Sequence, residues 1–78
     1  MDRKEFIKKM SELYEDFNEK NMKARTEAYL IVLNDKIDYD KLWKDLIMNY
    51  ESFKYAPTPA YLLKLIENNF SHYKLAEV

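Results

Sequence analysis

The chain has no glycine, no cysteine, one histidine and two prolines, and each shortage removes a class of function. Phosphate-cradling loops need backbone with positive φ that approaches the ligand closely, so P-loop and dinucleotide fingerprints are excluded. Without cysteine there is no disulfide framework, no thiolate nucleophile and no thiolate zinc ligand. His72 has no second imidazole or thiol to join it in a metal site and reads as a surface histidine near a helix end. Asp35, Asp38 and Asp40 lack the spacing, the mid-loop glycine and the closing glutamate of a calcium loop. Acid–base and nucleophilic catalysis therefore have no visible cast, and the expectation is a protein that is not an enzyme and uses no cofactor or metal. Long apolar runs are missing too. Ala28 to Leu33 is far too short to cross a bilayer, and the opening MDRKEF is charged, unlike a secretory signal, which points to the cytoplasm. With 13 basic and 14 acidic residues the net charge is −1, so there is no general attraction to nucleic acid or to a membrane surface.

What remains is helical. The 78 residues, 47% hydrophobic and 35% charged, describe one domain, 1–78, with a stability of roughly 4 to 12 kcal/mol from per-residue averages. Asp2 can cap a first helix, about 3–17, whose stripe is Phe6, Ile7, Met10, Leu13, Tyr14 and Phe17. Its charges oppose the helix dipole, Arg3, Lys4, Lys8 and Lys9 early and Glu12, Glu15 and Asp16 late, so packing must hold it. Asn21 is a candidate cap for a second helix, 22–34, in which Ala28 to Leu33 is apolar on almost every side and reads as a buried central segment. Asn34 can close it in the left-handed conformation.

The stretch from Ile37 to Ile66 organises the rest. Asp38 is the expected cap of a third helix, about 39–53, with Ile37 and Leu42 as a hydrophobic staple. Tyr39, Leu42, Trp43, Leu46, Ile47, Tyr50 and Phe53 form its stripe. Ala56 and Thr58 each precede a proline and are pushed toward extended backbone, so the helix must stop before them. Thr58 then caps a fourth helix, about 59–75, with Pro59 at its first position and Leu62, Leu63, Leu65, Ile66, Phe70 and Tyr73 along it. The fold class expected is all-α, a compact bundle of four short helices with short connections.

Seven tyrosines, four phenylalanines and one tryptophan are more than a bundle this small can bury. Phe6, Phe17, Trp43 and Phe53 read as core. Tyr50, Tyr55 and Tyr61, with Lys54, cluster in sequence around the Pro57–Pro59 corner and form the expected protein-binding site, for a partner or a second copy of the chain. A DNA-reading helix is disfavoured because the third helix opens Asp38-Tyr39-Asp40 and adds Asp45 and Glu51, which repel a duplex.

The run from about Ala28 to Ile66, with YLIVL, Asp38-Tyr39, Leu42-Trp43, Leu46-Ile47, Tyr50 and FKYAPTPAYLLKLI, resembles the small phage replicative-helicase loader and inhibitor family. The likeness covers about half the chain and concerns that family's folded helical domain, without the flexible C-terminal tail that grips the helicase. It implies a phage or prophage protein that binds and inhibits, or adapts, a replicative helicase, its loader or an initiator. Two further classes fit a compact rigid surface: an inhibitor of a host nucleic-acid-directed defence, such as an anti-CRISPR protein, and a DNA-binding regulator.

Overall fold

The computed structural model describes residues 1–17, 19–51 and 54–76, with the backbone alone at 19–22. The chain folds as a small all-α bundle: α1 (Arg3–Leu13), α2 (Glu19–Val32), α3 (Tyr39–Asn49), α4 (Pro59–Asn68) and a single-turn α5 (Phe70–Tyr73). Three expected caps are in place. Asp2 accepts from Glu5 N–H at 2.8 Å, Asp38 from Lys41 N–H at 3.2 Å and Thr58 from Tyr61 N–H at 3.1 Å, with Pro59 opening α4. Each carboxylate or hydroxyl satisfies an orphan donor of the first turn.

The helices are shorter than the sequence pattern predicts, and the reasons are local. α1 ends at Leu13 instead of residue 17, because Tyr14 turns extended while its side chain stays in the core. α2 starts at Glu19, so Asn21 lies inside the helix and is not its cap, and it ends at Val32. Described residues never enter the left-handed region; instead of closing the helix that way, Asn34 accepts the Lys36 N–H on its side chain at 2.8 Å. α3 stops at Asn49, with Tyr50 extended. Asn69 interrupts the predicted fourth helix: its φ of −131° and ψ of 36° are not helical, and its side-chain amide donates back to the Leu65 carbonyl at 3.0 Å.

Phe6, Met10, Tyr29, Tyr39, Leu42, Leu46, Leu62 and Ile66 form the centre of the core. Phe6 and Phe17 are buried as expected. Trp43 is not a core centre but a half-buried flank, edge-on to Phe6 with Lys9 Nζ 5.7 Å from its ring centre; Phe53 lies outside the described residues. The segment Ala28 to Leu33 is not buried all round. Tyr29 and Leu33 point inward while Ile31 is 84% exposed, so α2 is an outer helix with one buried face. Ile47, Leu63 and Phe70, expected on apolar stripes, are also exposed.

α2 packs on α1 and α4, α1 on α3, and α5 on both α3 and α4; α3 and α4 make no direct backbone approach. A short antiparallel bridge, Ile37 to Lys74, ties the chain beyond α5 to the start of α3: Asp38 N–H donates to Tyr73 O at 2.7 Å and Leu75 N–H to Lys36 O at 2.8 Å. α5 is thereby held across one end of the gap between α3 and α4.

Candidate protein-binding groove

The proline corner is positioned from a distance. Tyr29, fully buried on α2, donates its hydroxyl to the Pro57 carbonyl. Asp16 accepts the Ala56 N–H on Oδ1 at 2.8 Å and Arg25 Nη1 on Oδ2 at 2.9 Å, while its own N–H donates to Lys54 O at 2.9 Å. Burial opposes ionisation of Asp16, but the Ala56 N–H and the Arg25 guanidinium outweigh it and hold the carboxyl below its usual range. With Ala56 and Pro57 both buried, the elbow is fixed, and so is the direction in which α4 leaves it.

Between α3, α4 and α5 this leaves a groove of about 370 Å³, lined by Asp45, Asn49, Tyr50, Tyr61, Leu65, Asn69, His72, Tyr73 and, at its floor, Leu46. Tyr50 is half-buried, its ring edge-on to Tyr14 at 5.9 Å and tilted against Tyr61 at 5.4 Å. Burial first, and then the neighbouring Tyr61, push the Tyr50 phenol upward. Tyr61 is 44% exposed and forms the open lip.

Asp45 is the charged element. Its Oδ2 accepts the Tyr73 hydroxyl at 2.7 Å, and His72 Nε2 lies 3.0 Å from the same oxygen, donating in its Nε2–H tautomer. The Tyr73 bond, with the weaker help of His72, outweighs desolvation and keeps the Asp45 carboxyl below the ordinary range. Tyr73 is correspondingly pushed up, by burial and then by the carboxylate.

The expected site residues therefore divide. Tyr50 and Tyr61 come together in the groove. Lys54 and Tyr55 do not line it; they form a separate surface feature, Lys54 Nζ 5.4 Å from the Tyr55 ring centre, with Tyr55 57% exposed. His72 is on the surface near a helix end, as expected, but it is also part of the groove. Asp45, Asn49, Asn69, His72 and Tyr73 were not legible as a site, because Asp45 and the Tyr73 hydroxyl meet across 28 residues with no local spacing to announce it. No group of His, Cys, Asp and Glu able to hold a metal ion occurs among the described residues, and no helix of those residues is long and apolar enough to cross a membrane. No family model, no curated protein and no solved structure matches the chain.

Proposed function

We propose that the chain is a non-enzymatic binding module that acts by occupying another protein, with the tyrosine groove and the Lys54–Tyr55 surface as its contact sites. The observation that carries this reading is the exposed aromatic pair Tyr61 and Tyr55 on either side of an elbow whose backbone is pinned by Asp16 and Tyr29. Tyrosine offers large contact area at small conformational cost, and a pinned scaffold avoids ordering losses on binding. The groove's Asp45–His72–Tyr73 cluster reads as a binding wall: both donors converge on one carboxylate oxygen, and neither is left as an activated nucleophile. The likeness of residues 28–66 to phage helicase loaders and inhibitors makes a replication ATPase, its loader or an initiator the leading partner.

The test is binding of the intact chain to a purified hexameric replicative helicase, its loader and its initiator, read by anisotropy and by unwinding rate. One of the three should bind, and unwinding or loading should fall. Tyr55→Ala and Tyr61→Ala should each weaken that complex by about tenfold or more while leaving the melting temperature nearly unchanged. Full affinity in both variants removes these residues from the contact surface. Binding to none of the three, with capture of a nuclease effector instead, replaces the replication reading by that of a defence inhibitor.

A further inference from the structure

Asp45 is held in place but only half used. Both of its bonds fall on Oδ2, and among the described residues nothing engages Oδ1, although the side chain is only about a third exposed. Two amides line the same groove: Asn69 spends its nitrogen on the Leu65 carbonyl, which leaves its oxygen to accept, and Asn49 makes no side-chain bond among the described residues. His72 sits on the other oxygen, and the lysines nearby leave Oδ1 open. Lys41 sets its ammonium 3.4 Å from the His72 carbonyl oxygen, not at the carboxylate; Lys44 adds a favourable charge to Asp45 from beyond ion-pair distance, and among the described residues no lysine forms an ion pair with it. The groove thus combines one open carboxylate oxygen, two amide groups and the faces of Tyr50 and Tyr61 in a space large enough for one long side chain.

We propose that this groove receives an arginine side chain of the partner protein, its guanidinium bonded to Asp45 Oδ1 and the Asn49 and Asn69 oxygens and its plane against Tyr61. Guanidinium has five donors in a planar fork and stacks on aromatic faces, whereas an ammonium is a compact, strongly hydrated charge that would use less of this wall. A second copy of the chain is a poor source. Its two arginines are both engaged internally, Arg3 at the Leu33 carbonyl and Asp35, Arg25 at Asp16. The inference rests on the protein-binding reading above and narrows it to a partner that presents an exposed arginine.

The probe is the peptide acetyl-Gly-Arg-Gly-amide, titrated into the ¹⁵N-labelled chain, with its citrulline and lysine counterparts as controls. The arginine peptide should bind with a Kd on the order of 1 mM and shift the resonances of Asp45, Asn49, Tyr61 and Asn69. Citrulline, equal in shape but uncharged, should bind at least about tenfold more weakly, and lysine should fall between them. Asp45→Asn keeps an acceptor for Tyr73 and should retain a dispersed spectrum while losing about tenfold in affinity. Asn49→Ala, on the exposed face of α3, should lose about threefold. Equal binding of citrulline, shifts confined to another face, or wild-type affinity in Asp45→Asn overturns the assignment, and equal binding of lysine overturns the choice of guanidinium. If Asp45→Asn does not fold, the citrulline comparison on the native chain decides alone. A chain that binds the peptide in the groove but ignores the helicase, loader and initiator loses the replication reading only. A chain that binds one of those proteins equally well with Asp45→Asn loses the groove inference only.

Discussion

Two aspartates, one beside the proline elbow and one on the wall of the groove, face the same physical problem with different outcomes. Asp16, between α1 and α2, has both carboxylate oxygens committed, one to the Ala56 N–H and one to Arg25. Asp45, on α3, has the same number of partners but spends one oxygen on both. Each carboxyl is held below its ordinary range, so charge alone does not distinguish them. The geometry does: Asp16 is a latch that joins three segments distant in sequence, and Asp45 is a fixed charge with capacity left over. A carboxylate that is fully satisfied stabilises the fold, while one that is half satisfied beside a groove is available to a ligand.

The difference can be broken by mutation. The largest effect belongs to the latch side of the molecule: Tyr29→Ala removes a fully buried ring stacked on Phe17 and leaves the Pro57 carbonyl without its donor. It should cost about 3 to 5 kcal/mol in urea denaturation, a large share of the stability of a domain this size. Asp16→Ala should follow at about 2 to 3 kcal/mol, since it strands the Ala56 N–H and the half-buried Arg25 together. Asp45→Ala should cost less, about 1 kcal/mol: the Tyr73 hydroxyl loses its acceptor but lines the groove, where water can replace the carboxylate, and His72 is exposed. Equal losses at Asp16 and Asp45 would mean that both are latches. Trp43→Ala falls between them, at about 1 to 2 kcal/mol: only part of its ring is withdrawn from water, so the loss is well short of a core aromatic.

Local chemistry explains which parts of this were readable in the chain. The caps at Asp2, Asp38 and Thr58 were legible because each acts on a donor three residues away, as was the elbow, because a proline dictates its own φ and its neighbour's. Helix ends were overestimated for a common reason. Tyr14, Phe17 and Tyr50 continue an apolar stripe at helical spacing, yet all three reach the core or its edge from extended or turn backbone. Periodicity reports which side chains go inward and is silent about the dihedrals that carry them there. α2 shows the converse: six apolar residues in a row do not imply burial on every side, and Ile31 is left in water by a helix that contacts the bundle through one face. The groove was illegible because it lies between α3 and α4, whose backbones make no direct approach, and is closed by α5. Its polar lining comes from three elements, and the Asp45–Tyr73 bond exists only once α5 has been folded back by the Asn69 break and the Ile37–Lys74 bridge.

Acid sharpens the comparison with a smaller effect. For both aspartates the folded carboxyl ionises at lower pH than in the unfolded chain, where it titrates near about 3.9. Between those values the unfolded state binds more protons, so each contributes stability that is complete above about pH 4 and is lost as pH falls through the folded value. The wild-type melting temperature should therefore decline on acidification below about pH 4, and Asp16→Asn and Asp45→Asn should each flatten that decline by its own share. The arginine peptide separates the two. By binding only ionised Asp45 it should raise the melting temperature near neutrality in the wild type and in Asp16→Asn, should fail to do so in Asp45→Asn, and should lose its effect as the Asp45 carboxyl is protonated. A peptide-induced rise that persists unchanged in Asp45→Asn places the guanidinium somewhere other than the open oxygen, and the contrast between a closed and an open carboxylate then loses its functional meaning.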